Sequence, residues 1–166
     1  AGVRHMTTFT YRFVPGMRVG PDATQRALAE VLNLLGYYEE ALAELAQAEQ
    51  RFEAAGEQRG LVGVLGTLGQ THRLRGNHRQ AVTALQRQLQ IATEVGEERG
   101  ICEALEALGM VYWGQGDWDQ SADCCLKAIL LAGQLDDKQV ITRASITLGS
   151  VRSSQGWFSE AVHWYR

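Results

Sequence analysis

Few residues in this 166-residue chain are equipped for chemistry: four histidines, three cysteines, a close pair of glutamates and a ladder of glycines. His72 and His78 stand six apart with Gly76 between them. A helix break there would keep them off a common face, unlike a zinc-binding pair. Cys124 and Cys125 are adjacent, point in different directions from one helix and lack two-residue spacing. Cys125 is expected in the core, and Cys124 is the candidate for a reactive thiol. Glu103 and Glu106 share a helical face, as two carboxylates do for acid–base work. Nothing in the neighbouring sequence would desolvate them, so a solvated face is expected. Gly60, Gly63, Gly66 and Gly69 superficially resemble a phosphate loop, but no strand precedes them and that reading fails its context. No Ser–His–acid or Cys–His arrangement is readable. The sequence therefore nominates no catalytic residue, no metal site and no cofactor, and the chain is read as a non-enzyme.

Composition narrows the partners. The formal net charge of −3 lacks the concentrated basic surface of nucleic-acid binders. No apolar run approaches the roughly 20 residues that span a bilayer. Three cysteines, two of them adjacent, do not make a disulfide framework, so a reduced, cytoplasmic setting is expected. The two prolines, Pro15 and Pro21, leave the chain after residue 21 free for long helices.

What would position these residues is a repeat. Gly36, Gly76, Gly116 and Gly156 recur every 40 residues. Seven residues before each stands Ala29, Gly69, Gly109 or Gly149, and before these Leu28, Leu68, Leu108 and Leu148. Two after each turn comes a ring, Tyr38, His78, Trp118 or Phe158, then a small residue, Ala41, Ala81, Ser121 or Ala161. Gly56 and Gly96 mark a second turn, with Asp136 in the corresponding place. A fixed period of this size means stacked supersecondary units. Each unit reads as two helices: Leu61, Val64, Leu65 and Leu68 recur at three and four, as do Ala81, Val82, Leu85, Leu89 and Ala92. Helices are expected near 22–35, 37–55, 57–75, 77–95, 97–115, 117–134 and 137–155, followed by a short eighth. Gly69 and Ala81 mark a close crossing of the two helices in a unit. In this register His72 takes the place of Tyr112 and His78 that of Trp118, so packing roles are expected for both.

The pattern resembles the tetratricopeptide repeat, whose signature joins a leucine–glycine pair, an aromatic three residues on, then a small and a bulky residue. Leu105, Leu108, Gly109 and Tyr112 match it best, with Ala81 and Leu85, and Ala161 and Tyr165, in the second helix. The period is 40 rather than 34, and Thr93 stands where the terminal proline is usual. Such a long-helix variant is similar to the repeats of kinesin light chains, of spindle scaffolds with GoLoco motifs and of bacterial signalling regulators.

The resemblance implies an all-α fold, a right-handed α-solenoid of stacked antiparallel helix pairs, with units at about 22–56, 57–96, 97–136 and 137–166, the last truncated within a longer protein. It also implies a peptide- or protein-binding groove along the first helix of each pair. Carried over, the groove residues are Arg26, Glu30 and Asn33; Gly63, Gly66, Gln70 and Arg73; Glu103, Glu106, Met110 and Trp113; and Arg143, Ile146, Ser150 and Ser153, with Arg59 and Arg99 extending the stripe. Trp113 and Met110 are the expected anchors. Gly63 and Gly66 should leave room on the groove, for a partner or by drift. A chaperone-type carboxylate clamp is not matched, and the asparagine that spindle scaffolds carry after the leucine–glycine pair is Gln70, Met110 or Ser150 here. The implied function is a scaffold module of a regulatory or signalling protein. The alternative is a self-association module that forms homo-oligomers.

Residues 1–21 stand outside the register as an extended segment, tag or linker. In residues 7–14, Phe9, Tyr11 and Phe13 alternate with Thr8, Thr10 and Arg12, a period-two pattern. Those rings are expected either to dock in the array's own groove or that of a second copy, or to belong to a disordered tail.

Overall fold

The computed structural model describes residues 21–166, all arranged as helices and tight turns. The elements are α1 (Pro21–Leu35), α2 (Tyr38–Ala55), α3 (Gln58–Leu74), α4 (His78–Glu94), α5 (Glu98–Gln115), α6 (Trp118–Gln134), α7 (Lys138–Ser154) and α8 (Phe158–Tyr165). Their bounds follow the helices read from the glycine register, and no strand occurs among the described residues. The docking expected of residues 7–14 lies outside the described residues.

Each odd-numbered helix and the next form an antiparallel pair. The turn inside a pair closes on Gly36, Gly76, Gly116 or Gly156, all at positive φ of 79–83°. At each the following amide reaches back to a carbonyl five residues earlier, as Asn77 N–H does to His72 C=O at 2.8 Å. This is the Schellman closure, which satisfies the last carbonyls of the helix. The turn between pairs uses Gly56, Gly96 and Asp136 in the same way, with Asp136 forced to φ 53°.

The crossing inside each pair explains the small residues. A methyl group on Gly69 would fall 2.5 Å from Leu85 Cγ, and one on Gly109 2.5 Å from Cys125 Sγ. Ser121, in the place of Ala81, donates its hydroxyl to Gly109 C=O at 2.7 Å. The core then divides into successive clusters, as a one-dimensional stack requires. Ala29, Ala41, Leu45 and Ala48 meet Val64; Ala81 and Leu85 meet Leu108 and Val111; Cys102, Ala122 and Cys125 meet Val140, Leu148 and Val151. Leu108 and Leu148 are buried as the register predicts, but Leu68 is only partly buried. It faces the first pair, and α3 packs less extensively on α2 than α5 on α4 or α7 on α6.

Neighbouring odd helices touch in sequence, α1 to α3 to α5 to α7, whereas the backbones of successive even helices do not. The stack is therefore tighter on the odd-helix side and curves toward it. On the outer side Arg87 of α4 bridges the gap by pairing with Glu49 and Glu53 of α2.

Candidate peptide-binding surface

The inner face is built from rows of residues 40 apart on α1, α3, α5 and α7. One row runs Asn33, Arg73, Trp113, Ser153; the next Glu30, Gln70, Met110, Ser150; a third Arg26, Gly66, Glu106, Ile146. Helical geometry brings positions three and four apart onto one side, so these rows form a continuous band.

Most charges on the band are neutralised locally. Arg26 lies 3.5 Å from Glu30, Arg99 3.1 Å from Glu103, and Arg143 of α7 3.3 Å from Glu106 of α5. Arg73 differs: its Nε donates to Gln70 Oε1 at 3.1 Å, and no carboxylate among the described residues pairs with it. Beside it in the row, Trp113 is 45% exposed, and Ile146 of α7 is also exposed. Met110 is half-buried between them in register, and Ser153 is half-buried at the end of the first row. Ser150 donates to Ile146 C=O and lies 3.1 Å from the Tyr165 hydroxyl, so its polar atom is engaged.

Three carried-over residues are placed differently. Asn33 is buried, donating Nδ2 to Thr71 Oγ1 of α3 at 2.8 Å, and so ties α1 to α3 instead of facing the groove. Glu106 is buried rather than solvated. Desolvation raises its pKa above the ordinary carboxylate value, against the opposing pull of Arg143 and Arg73. The space at Gly66 is filled from beneath: a methyl there would lie 2.8 Å from Nε2 of Gln88, a fully buried residue of α4. At Gly63 the filler is the Arg26 guanidinium, the far end of a flexible side chain that a ligand can displace. Gln88 and Thr71 were not anticipated. A signal for Gln88 existed, since Gly66 and Gln88 stand where the third unit has Glu106 and Ala128: the large and small partners are exchanged.

Arg59 and Arg99 lie away from the centre of the band. With Glu97, Asp136, Lys138 and Gln139 they line an open cleft of about 830 Å³ along the turns between pairs.

The thiols do not suit nucleophilic work. Burial, with Asp123 nearby, pushes Cys124 up to about 11, and burial pushes Cys125 up to about 12, opposite to the shift that activates a thiol. His72 is held below its usual pKa by burial and by Arg75. Among the described residues no three of His, Cys, Asp and Glu converge as a metal site.

Antiparallel pairs stacked at a 40-residue period, with one set of helices lining a curved inner face, define an all-α helical-repeat solenoid. The family model described as tetratricopeptide repeat matches residues 64–99 and 104–139, and a second model of the same description matches 23–47, together over half the chain. The chain belongs to the tetratricopeptide repeat family. The fold is similar to the crystal structure of BtubC (BKLC) from P. vanneervenii, with TM-score 0.75 and 16% identity over 86% of this chain and 59% of that one. It is also similar to a putative kinesin light chain of Podosopora anserina with nearly identical TPR-like repeats, with TM-score 0.72 and 16% identity over 85% and 69% of the two chains. MamA is a third, with TM-score 0.64 and 20% identity over 87% and 74%. This chain thus spans 59% of the length of BtubC. No curated protein matches the sequence significantly. Tetratricopeptide repeats as a class mediate protein–protein contacts, and no helix among the described residues is long and apolar enough to cross a membrane.

Proposed function

We propose that this chain is a scaffold module that holds an extended peptide segment of another protein against its inner face, within a regulatory or signalling protein. The observation that carries the reading is Trp113: a large ring left 45% exposed on the face where the helices converge. Met110 and Ile146 share its band, and Arg73 makes no ion pair with a carboxylate among the described residues. A rigid aromatic with an apolar surround and one accessible cation is the composition of an interface hot spot. The groove set is then Arg26, Glu30, Gly63, Gln70, Arg73, Glu103, Met110, Trp113, Arg143 and Ile146, with Asn33 and Glu106 as supports beneath it. Among the described residues an enzyme reading has no activated thiol to rest on.

The test is to select peptides from a random library on the full chain, then measure their affinity for variants. Trp113→Ala should weaken binding by at least tenfold, and Leu130→Ala, on the outer side of α6, should leave it unchanged. Selected peptides that bind Trp113→Ala as tightly as the parent contradict the proposal.

A further inference from the structure

Along the third row of the inner face, a long side chain crosses from one inner helix to the next in the first and third units. Arg26 of α1 reaches over Gly63 of α3, and Glu106 of α5 pairs with Arg143 of α7 at 3.3 Å. Both crossings span 37 positions. In the second unit the same place is Gly66, which has no side chain to send toward Glu103, 37 positions on. A notch is left there between α3 and α5. Gln88 of α4 ends behind it: its Nε2, Cδ and Oε1 lie 2.8, 3.2 and 3.2 Å from where a Cβ of residue 66 would stand. Gln88 is only 1% exposed, yet its Oε1 has no hydrogen-bond partner among the described residues. A buried acceptor left unpaired is costly, so a donor that reaches it is bound well. Glu106 also leaves one oxygen unpaired, but its own side chain fills the row at that point.

We propose that the notch at Gly66 is a subsite for a side-chain amide, Asn or Gln, of the peptide held on the inner face. The inference rests on that inner-face reading and names one residue class the ligand must carry. The ligand N–H donates to Gln88 Oε1, and its carbonyl accepts from Gln88 Nε2, a reciprocal pair that only an amide completes. The bare backbone at Gly66 gives it the room. A cation is disfavoured because the nearest carboxylates in register, Glu103 and Glu106, already hold Arg99 and Arg143. An acid is disfavoured because it would bring an oxygen against Glu103 and the unpaired Gln88 Oε1. Glu103 and Trp113 are ten positions apart on α5. That is about 15 Å, or roughly four to five residues of extended peptide.

Peptides selected from a random library on the full chain test this. Those whose binding falls with Trp113→Ala should share an Asn or Gln about four to five residues from the residue that meets Trp113. Exchanging that residue for the isosteric Asp or Glu should weaken binding to the parent by roughly tenfold or more. On Gln88→Met, which keeps the length and removes the amide, the two peptides should bind alike. Gly66→Ala, which closes the notch with a methyl group, should erase the preference in the same way and serves should Gln88→Met not fold. Peptides that need Trp113 but enrich no amide, or enrich Lys or Arg instead, overturn the subsite and leave the inner-face reading standing. A preference for the amide that survives in both variants overturns it too. Peptides indifferent to Trp113→Ala bring down the inner-face reading and the subsite with it.

Discussion

In the second helix pair Gly66 faces Gln88; forty residues on, the same two positions hold Glu106 and Ala128. Both pairs place one long polar side chain in buried space, and each leaves one oxygen of it without a hydrogen-bond partner, Gln88 Oε1 and Glu106 Oε1. The polar group comes from the outer helix in one unit and from the inner helix in the other. That change has a consequence beyond the unit. Glu106, on the inner helix, takes Arg143 of the next pair as its partner, whereas Gln88 stays beneath its own Gly66. Bulk is therefore traded between the two helices, and the charged Glu106 on the inner helix pairs with the next unit while the neutral Gln88 does not.

The largest expected effect comes from core leucines in the two units. Leu108→Ala should cost about 2–5 kcal/mol of stability. Leu68→Ala, in the same register but only partly buried, should cost clearly less in the same urea titration. Equal losses would show that the difference in packing on the preceding pair has no energetic weight.

Next in size is the exchange itself. Gly66→Glu adds bulk where Gln88 already lies, and should cost about 1–3 kcal/mol. Adding Gln88→Ala recreates the third unit's bulk but not its charge pairing, since Glu103 stands where that unit has Arg143, and should recover the steric part of that loss, a coupling of about 1 kcal/mol or more in a double-mutant cycle. Additive effects would break the comparison.

Glu106 gives a pH-dependent contrast. Burial raises its pKa above the ordinary 4.5, with Glu103 adding to the shift and Arg143 and Arg73 opposing it. A group raised in the folded state stabilises it while protonated, below the unfolded value, and that contribution fades as pH rises through the folded value. Glu106→Gln should therefore melt progressively higher than the parent as pH is raised from below 4.5 to neutrality. Parallel melting curves across that range would mean that Arg143 and Arg73 fully offset the burial. The smallest effect belongs to Asp136, held at φ 53° where Gly56 and Gly96 serve elsewhere. Asp136→Gly should stabilise by about 1 kcal/mol, read as a raised melting temperature.

The helical architecture was legible because turn chemistry is local. A glycine that must take positive φ announces itself every forty residues, and even its replacement by Asp136 was marked by register. The inner face was legible as a set of rows, but the depth of each member was not. Neighbouring positions on a helix differ by about 100° in direction, so whether Asn33 points at a ligand or at Thr71 depends on how closely α1 approaches α3. Glu106 looks solvated in the sequence because its partner, Arg143, lies 37 residues away on another pair. Gln88 escaped notice because a glutamine reads as surface until its small opposite, Gly66, is compared with Glu106 in the next unit.

Hydrogen exchange of the full chain with and without a library-selected peptide measures where a ligand lies. Slowed exchange should concentrate on the inner helices α3, α5 and α7, around Arg73, Trp113 and Ile146, with α4 and α6 unaffected. Protection confined to α4 and α6 would place the partner on the outer side and contradict the inner face as the binding surface.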